Sequence, residues 1–265
     1  MGYSVWFLPC ALSKADEHVT VTPEELVEKR PTAAYIDTGA LKNNYSWLRA
    51  MTPPDVKMMA IVKANAYGHG DTQVARVLED AGCDCLGVAL PEEGAALRKA
   101  GIKLPIVVLG GIFPGQIKDI FELDLTPVVF DISTARLISS FAKSRLTEGG
   151  NTPPGRTKDI HVKIDTGMGR LGLLAHQVSP FFTALKGLPG IKVQALLSHF
   201  SESEDADSAF TKVQLGLFLD AVKEIKELGF DPEFIDMANS AAAVAHPDTH
   251  LKLVRPGLML YGAYP

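Results

Sequence analysis

Eight short apolar runs, separated by segments with helical periodicity, constrain this chain more than any other feature of its sequence. The runs cover residues 58–62, 85–89, 106–109, 126–130, 160–164, 193–197, 234–237 and 253–254, and a shorter candidate strand at 34–36 precedes them. Between them lie segments such as DTQVARVLEDAG, which puts Val74, Val77, Leu78 and Ala81 on one face and stops at Gly82. PEEGAALRKAG opens with Pro91 and two acids and ends at Gly101, the signals of a helix start and stop. TKVQLGLFLDAVKEIKELGF repeats the pattern with Leu215, Phe218, Val222, Ile225 and Leu228. Strands alternating with helices imply a parallel sheet covered by helices. Eight strands, counted from the one that ends at Lys63, favour an α/β fold of the closed (β/α)8 TIM-type barrel kind over an open doubly wound sheet. A length of 265 residues is ordinary for one such barrel, and 46% hydrophobic residues suffice for its core.

The remaining composition mostly excludes. A net charge of -5 with no basic block leaves no nucleic-acid footprint. No apolar run approaches the roughly 20 residues needed to span a bilayer, so no membrane partner is expected. Cys10, Cys83 and Cys85 form no ligand or redox pattern and read as free thiols of a cytoplasmic protein. The start, MGYSVWFLPCALSKADE, lacks the positive region of a signal peptide. Residues 1–30 read as a polar leader outside the fold, and 31–265 as the barrel. His18, His69, His161, His176, His246 and His250 show no ligand spacing, so no metal is expected.

Chemistry in such a barrel sits at the C-terminal strand ends. The residues there are Lys63 and Tyr67; 165–170; Ser198 and His199; Asn239 and Ser240; and Arg255, Pro256 and Gly257. A partly desolvated lysine in the barrel mouth has a lowered pKa and suits Schiff-base formation with an aldehyde. Lys63 equally suits a rim lysine that snorkels to water, and position alone does not choose. DTGMGRLG contains the spacing Gly167-x-Gly169-x-x-Gly172, but residues 173–201 hold no acid for a ribose, and Pro180 is expected to break the segment that follows. The stretch reads better as a glycine turn presenting Arg170 to an anion, with Asp165 in a turn or supporting role. Asn239 and Ser240 suit a helix N-cap or a phosphate site at the helix start. Gly257 permits close approach of backbone amides to a ligand. His199 alone is commonly structural; among these neighbours a functional role is favoured. An amine, a phosphate cradle and arginines are the parts of a pyridoxal-phosphate site.

These segments resemble those of alanine racemase. AIVKANAYGHG, VKIDTGMGRLG, LSHF, NSAA and VRPGLMLYGAYP match in order, and AAYIDTGALKNNYSWLR looks like the family's opening segment. The resemblance implies interconversion of L- and D-alanine, a supply of D-alanine for peptidoglycan precursors. It implies pyridoxal 5'-phosphate held as an aldimine on Lys63, which also acts as one of two proton-transfer bases. Tyr67, Ser240, Gly257 and Leu258 would hold the phosphate, the last two through backbone amides. Arg255 would face the pyridine nitrogen, His199 would pack by the cofactor and bond towards Arg255, and Arg170 would bind near the substrate carboxylate. Lys163 matches a position that is carbamylated in some relatives. The family is homodimeric, and its C-terminal β-rich domain supplies a second base, a tyrosine that reaches the partner's site. None of Tyr3, Tyr35, Tyr45, Tyr67, Tyr261 and Tyr264 lies in a segment matching that tyrosine, and the chain stops at Pro265 within YGAYP. The expectation is a truncated chain, complete in cofactor binding and incomplete in catalysis. The alternatives are a stand-alone pyridoxal-phosphate carrier without turnover and a barrel amino-acid decarboxylase. The latter would pair the pyridine nitrogen with an acid, where VRPG offers Arg255.

Overall fold

The computed structural model describes residues 34–147 and 157–264. Eight strands appear where the apolar runs stand. They are β1 (Lys57–Ile61), β2 (Cys85–Val88), β3 (Ile106–Val108), β4 (Leu125–Val129), β5 (Lys158–Lys163), β6 (Ile191–Leu197), β7 (Phe234–Asp236) and β8 (Leu253–Val254). Each pairs in parallel with the next, and β8 pairs with β1, so the sheet closes into an eight-stranded barrel. The helices are α1 (Thr38–Met51), α2 (Asp71–Asp80), α3 (Pro91–Lys99), α4 (Ile117–Glu122), α5 (Ile132–Thr147), α6 (Ala175–Leu185), α7 (Ala209–Glu227) and α8 (Ser240–Ala245).

Most of the runs lack polar alternation because both faces of the sheet are buried; the run at 160–164, with His161 and Lys163, is the exception. Along β1, Met58 and Ala60 face the helices while Met59 and Ile61 fill the barrel. The outer layer packs Leu86, Ile106, Val108, Ile160, Val162 and Leu196 against Phe182, Phe218 and Ile225. The inner layer is smaller: Met59, Ile61, Cys85, Val107, Val128, Leu197 and Leu253. Paired residues of a parallel sheet point the same way. Leu197 pairs with Lys163 and Asp236, and Ala195 with His161, so three polar side chains share the inward face. Arg255 joins them, two residues beyond the inward Leu253.

Two expectations need correction. Residues 34–36 form no strand; Asp37 instead caps α1 through its Oδ1, which accepts from the Ala40 amide at 2.9 Å, so the chain turns into a helix there. Pro180 does not break its segment but lies within α6. It is exposed, and the buried Val178, Phe181, Phe182 and Leu185 hold the helix against the core. The polar leader assigned to 1–30 lies outside the described residues. Among the described residues, no helix is long and apolar enough to cross a membrane.

Gly87 of β2 shows how tightly the interior is filled. A Cβ there would stand 2.6 Å from Ile61 Cδ1 and 3.1 Å from both Leu109 Cδ1 and Met59 Sδ. Gly87→Val is therefore expected to destabilise the barrel by about 1–3 kcal/mol through overpacking, read as a lowered midpoint of urea unfolding. An unchanged midpoint would contradict this packing.

Candidate functional site

The C-terminal ends of the strands surround a cavity of about 430 Å³. Lys63, Tyr67, Arg170, His199, Asn239, Ser240, Arg255, Gly257 and Leu258 all line it. Five separate sequence segments thus supply one site.

The first segment enters by an unusual backbone. After β1, Ala64, Asn65, Ala66 and Tyr67 all have φ between 52° and 55°, so KANAY forms a left-handed helical turn. Each such residue costs about 1–2 kcal/mol relative to the right-handed form. The turn closes on itself through Ala66 N to Val62 O at 3.0 Å and Gly68 N to Ala64 O at 3.1 Å. Gly68 and Gly70, with φ of 86° and 87°, carry the chain out of it at no steric cost. Asn65 then caps α2, its Oδ1 accepting from the Asp71 amide at 3.0 Å. Lys63 Nζ stands 5.7 Å from the centre of the Tyr67 ring. Tyr261 braces the same turn. It donates to Ile61 O at 2.8 Å and packs its ring against Tyr67 and His69.

Gly257 lies against this turn. A Cβ on Gly257 would meet Tyr67 Oη at 2.8 Å, so any larger residue would require the Tyr67 hydroxyl to shift. Its amide donates to Ser240 Oγ at 2.8 Å, and the Met259 amide donates to the same oxygen at 3.4 Å. Having accepted twice, that hydroxyl keeps its own hydrogen to give outward. Asn239 is the N-cap of α8. Its Oδ1 accepts from the Ala242 amide and from Ser203 Oγ, both at 2.9 Å.

The glycine loop after β5 resolves as a turn. The amides of Gly167, Gly169 and Arg170 donate to the Asp165 carboxylate at 2.9–3.1 Å. Burial raises the Asp165 pKa, but these bonds together hold it below the usual carboxylate range. Asp165 thus occupies the loop's amides and supports the turn; it does not line the cavity. Arg170 is left exposed at its edge.

The floor is buried and polar. Arg255 ion-pairs with Asp236, and neither is more than 5% exposed. Its Nη2 donates to Ser198 O at 2.6 Å and makes a long contact of 3.5 Å to His199 Nδ1. A guanidinium can only donate, so Nδ1 is the acceptor and the His199 proton belongs on Nε2. Burial first, then the cations Arg255, Lys163, Arg170 and Lys63, lower the His199 pKa to about 3. Burial, then Arg255 and Arg170, also lower Lys163 to about 8.

Sequence reasoning did not single out Asp236, Glu93, the structural use of Tyr261, or Glu204, an exposed acid that also lines the cavity. An acid inside the apolar run FIDM was a readable signal for Asp236, since an unpaired carboxylate is not left in a core.

Comparisons with known proteins follow the same outline. Residues 36–265 match the family model described as "Alanine racemase, N-terminal domain". The chain is 38% identical over 242 residues to an alanine racemase of Geobacter sulfurreducens, covering 90% of this chain and 61% of the relative. It is 38% identical over 236 residues to an alanine racemase of Methanococcus maripaludis, covering 89% and 61%. A solved Clostridium difficile alanine racemase in complex with cycloserine superposes with a TM-score of 0.83 at 33% identity, over 89% of this chain and 63% of that one. The chain thus spans about three fifths of the length of the relatives it matches.

The neutral state of His199 makes an acid limb. Its folded pKa lies below the unfolded value of 6.5, so the unfolded chain binds more protons between that value and about 3. The associated stability is present above pH 6.5 and is lost as the pH falls. His161, lowered to about 4 mainly by burial, adds to the same limb. His199→Gln is expected to flatten the fall in unfolding free energy between pH 6.5 and 4 without abolishing it. An identical slope in the variant would show that His199 is not buried neutral.

Proposed function

The chain belongs to the alanine racemase N-terminal domain family, and from that premise we propose that its barrel mouth binds pyridoxal phosphate on Lys63 and acts on alanine. The observation that carries this reading is the shared cavity. It joins an amine, a hydroxyl-and-amide cradle and a buried guanidinium, drawn from residues up to 195 positions apart (63 to 258).

The family depends on pyridoxal phosphate, and the residues present fit it. Tyr67 Oη, Ser240 Oγ and the backbone at Gly257 and Leu258 form a concave patch that a Cβ at Gly257 would fill. They are assigned the phosphate, whose charge suits the Tyr67 and Ser240 hydroxyls and the Leu258 amide as donors, while Gly257, its amide given to Ser240 Oγ, leaves the room. Asn239 supports the patch by capping α8 beneath Ser240. Lys63 is assigned the cofactor aldehyde.

Arg255 is assigned the pyridine nitrogen. Asp236 ion-pairs with its guanidinium, and a guanidinium does not surrender a proton to a pyridine. Neutral His199 packs beside Arg255 and restrains it. Arg170, at the open edge of the cavity, is assigned the substrate carboxylate, which a guanidinium binds in a fork.

Bound pyridoxal phosphate supplies the electron sink that lets an amino acid lose its α-proton. Lys63 Nζ is assigned the movement of that proton on its own face of the substrate. A racemase needs a carrier on the other face too, which we assign to a group outside the described residues.

The test is spectroscopic. The purified chain mixed with pyridoxal phosphate should develop the visible absorbance of a lysine-bound cofactor. Lys63→Ala should lose that band while its far-UV circular dichroism stays unchanged. A band of equal intensity in the variant would contradict the assignment.

A further inference from the structure

The left-handed turn that presents Lys63 is supported from outside itself. Its internal bonds start at Ala66 N and leave the amide of Ala64, its first left-handed residue, turned outward. That amide donates to Glu93 Oε1 of α3 at 2.6 Å. The other oxygen, Oε2, accepts from Ala89 N at 2.6 Å and from Leu90 N at 3.1 Å. One carboxylate therefore ties the turn after β1 to the turn after β2. Capping of α3 accounts for Oε2, because a glutamate at the third helical position commonly reaches back to the residue before the helix. It does not account for Oε1, which leaves its own element altogether.

We infer that Glu93 is a positioning residue for Lys63, a reading that rests on the proposed role of the Lys63 amine. The peptide plane between Lys63 and Ala64 carries the bonded N–H. Fixing that plane fixes the backbone from which the Lys63 side chain leaves. The four left-handed residues that follow favour other conformations, so without the bond the turn has a route to relax. Charge-assisted bonds to a carboxylate are stronger than neutral ones, which suits a clamp on a strained segment. Helix α3 is seated by the buried Pro91, Gly94 and Leu97, so it is a firm anchor. The position of the amine is thereby referred to the second β/α unit and not to the turn alone.

The experiment uses the full chain as wild type, Glu93→Gln and Glu93→Ala. A glutamine offers one oxygen and one NH₂, so it cannot satisfy both sets of amides. Each protein is treated with pyridoxal phosphate and borohydride, and trapped lysines are mapped by peptide mass spectrometry. Backbone amide exchange is followed in parallel. The wild type is expected to trap cofactor at Lys63. Both variants should exchange faster at residues 64–68 and trap at Lys63 about tenfold to a hundredfold more slowly. Trapping at an exposed lysine such as Lys118 should be unchanged. If Glu93→Ala does not fold, Glu93→Gln decides. Faster exchange confined to 91–99, with wild-type trapping at Lys63, would reduce Glu93 to a helix cap and overturn the inference. A wild type that traps nothing at Lys63 would overturn the proposed function instead. The clamp would then stand or fall on exchange at 64–68, and unchanged exchange there in the variants would overturn it.

Discussion

Pairing of the first strand with the eighth is the constraint on which the site depends. Lys57 and Met58 pair with Leu253 and Val254, and the ladder continues as Ile61 N donates to Pro256 O at 2.9 Å. This closure sets Lys63 and Tyr67 beside Arg255 and Gly257. It also explains the room that Gly257 leaves, since a Cβ there would crowd the Tyr67 hydroxyl. Tyr261, within the VRPGLMLYGAYP motif, returns to brace the first strand's end through Ile61 O. The two most distant motifs in the sequence therefore form one interlocked unit.

Electrostatics gives that unit its character. Lys63, Lys163, Arg170 and Arg255 surround one cavity, a concentration of positive charge in a chain whose net charge is -5. The carboxylates nearby offset it only in part. Asp165 is spent on the amides of its own loop, Asp236 lies under Arg255, and Glu204 is the one acid among the described residues lining the cavity against these four cations. Such a site favours an anion. Burial first, and then the field of these cations, keeps His199 neutral and lowers Lys163, so enclosure and charge act in the same direction.

Much of this was legible in the sequence, and what was missed shares a physical reason. All eight barrel strands could be placed because two-sided burial writes most of each as apolar residues, the polar His161, Lys163, Gln194 and Asp236 interrupting β5, β6 and β7. Eight of the nine candidate residues could be gathered because a barrel collects its strand ends at one mouth; Leu258 came from the resemblance. The left-handed turn was not legible. Nothing in KANAY states a positive φ, and alanine and tyrosine disfavour it; the conformation is imposed by Gly68, Asn65 and contacts from distant elements. Glu93 was hidden for a related reason. Its position reads as an ordinary acid in a first helical turn, and the bond to Ala64 exists only once two β/α units stand side by side. The strand placed at 34–36 failed because three apolar residues carry no periodicity, whereas Asp37 carries a cap.

The most direct measurement is an experimental structure of the chain with pyridoxal phosphate bound. The account requires density continuous from the cofactor to Lys63 Nζ. It also requires the phosphate among Tyr67, Ser240 and Gly257, with the pyridine nitrogen facing Arg255. A cofactor joined to another lysine, or a phosphate seated elsewhere than against Gly257, would contradict it.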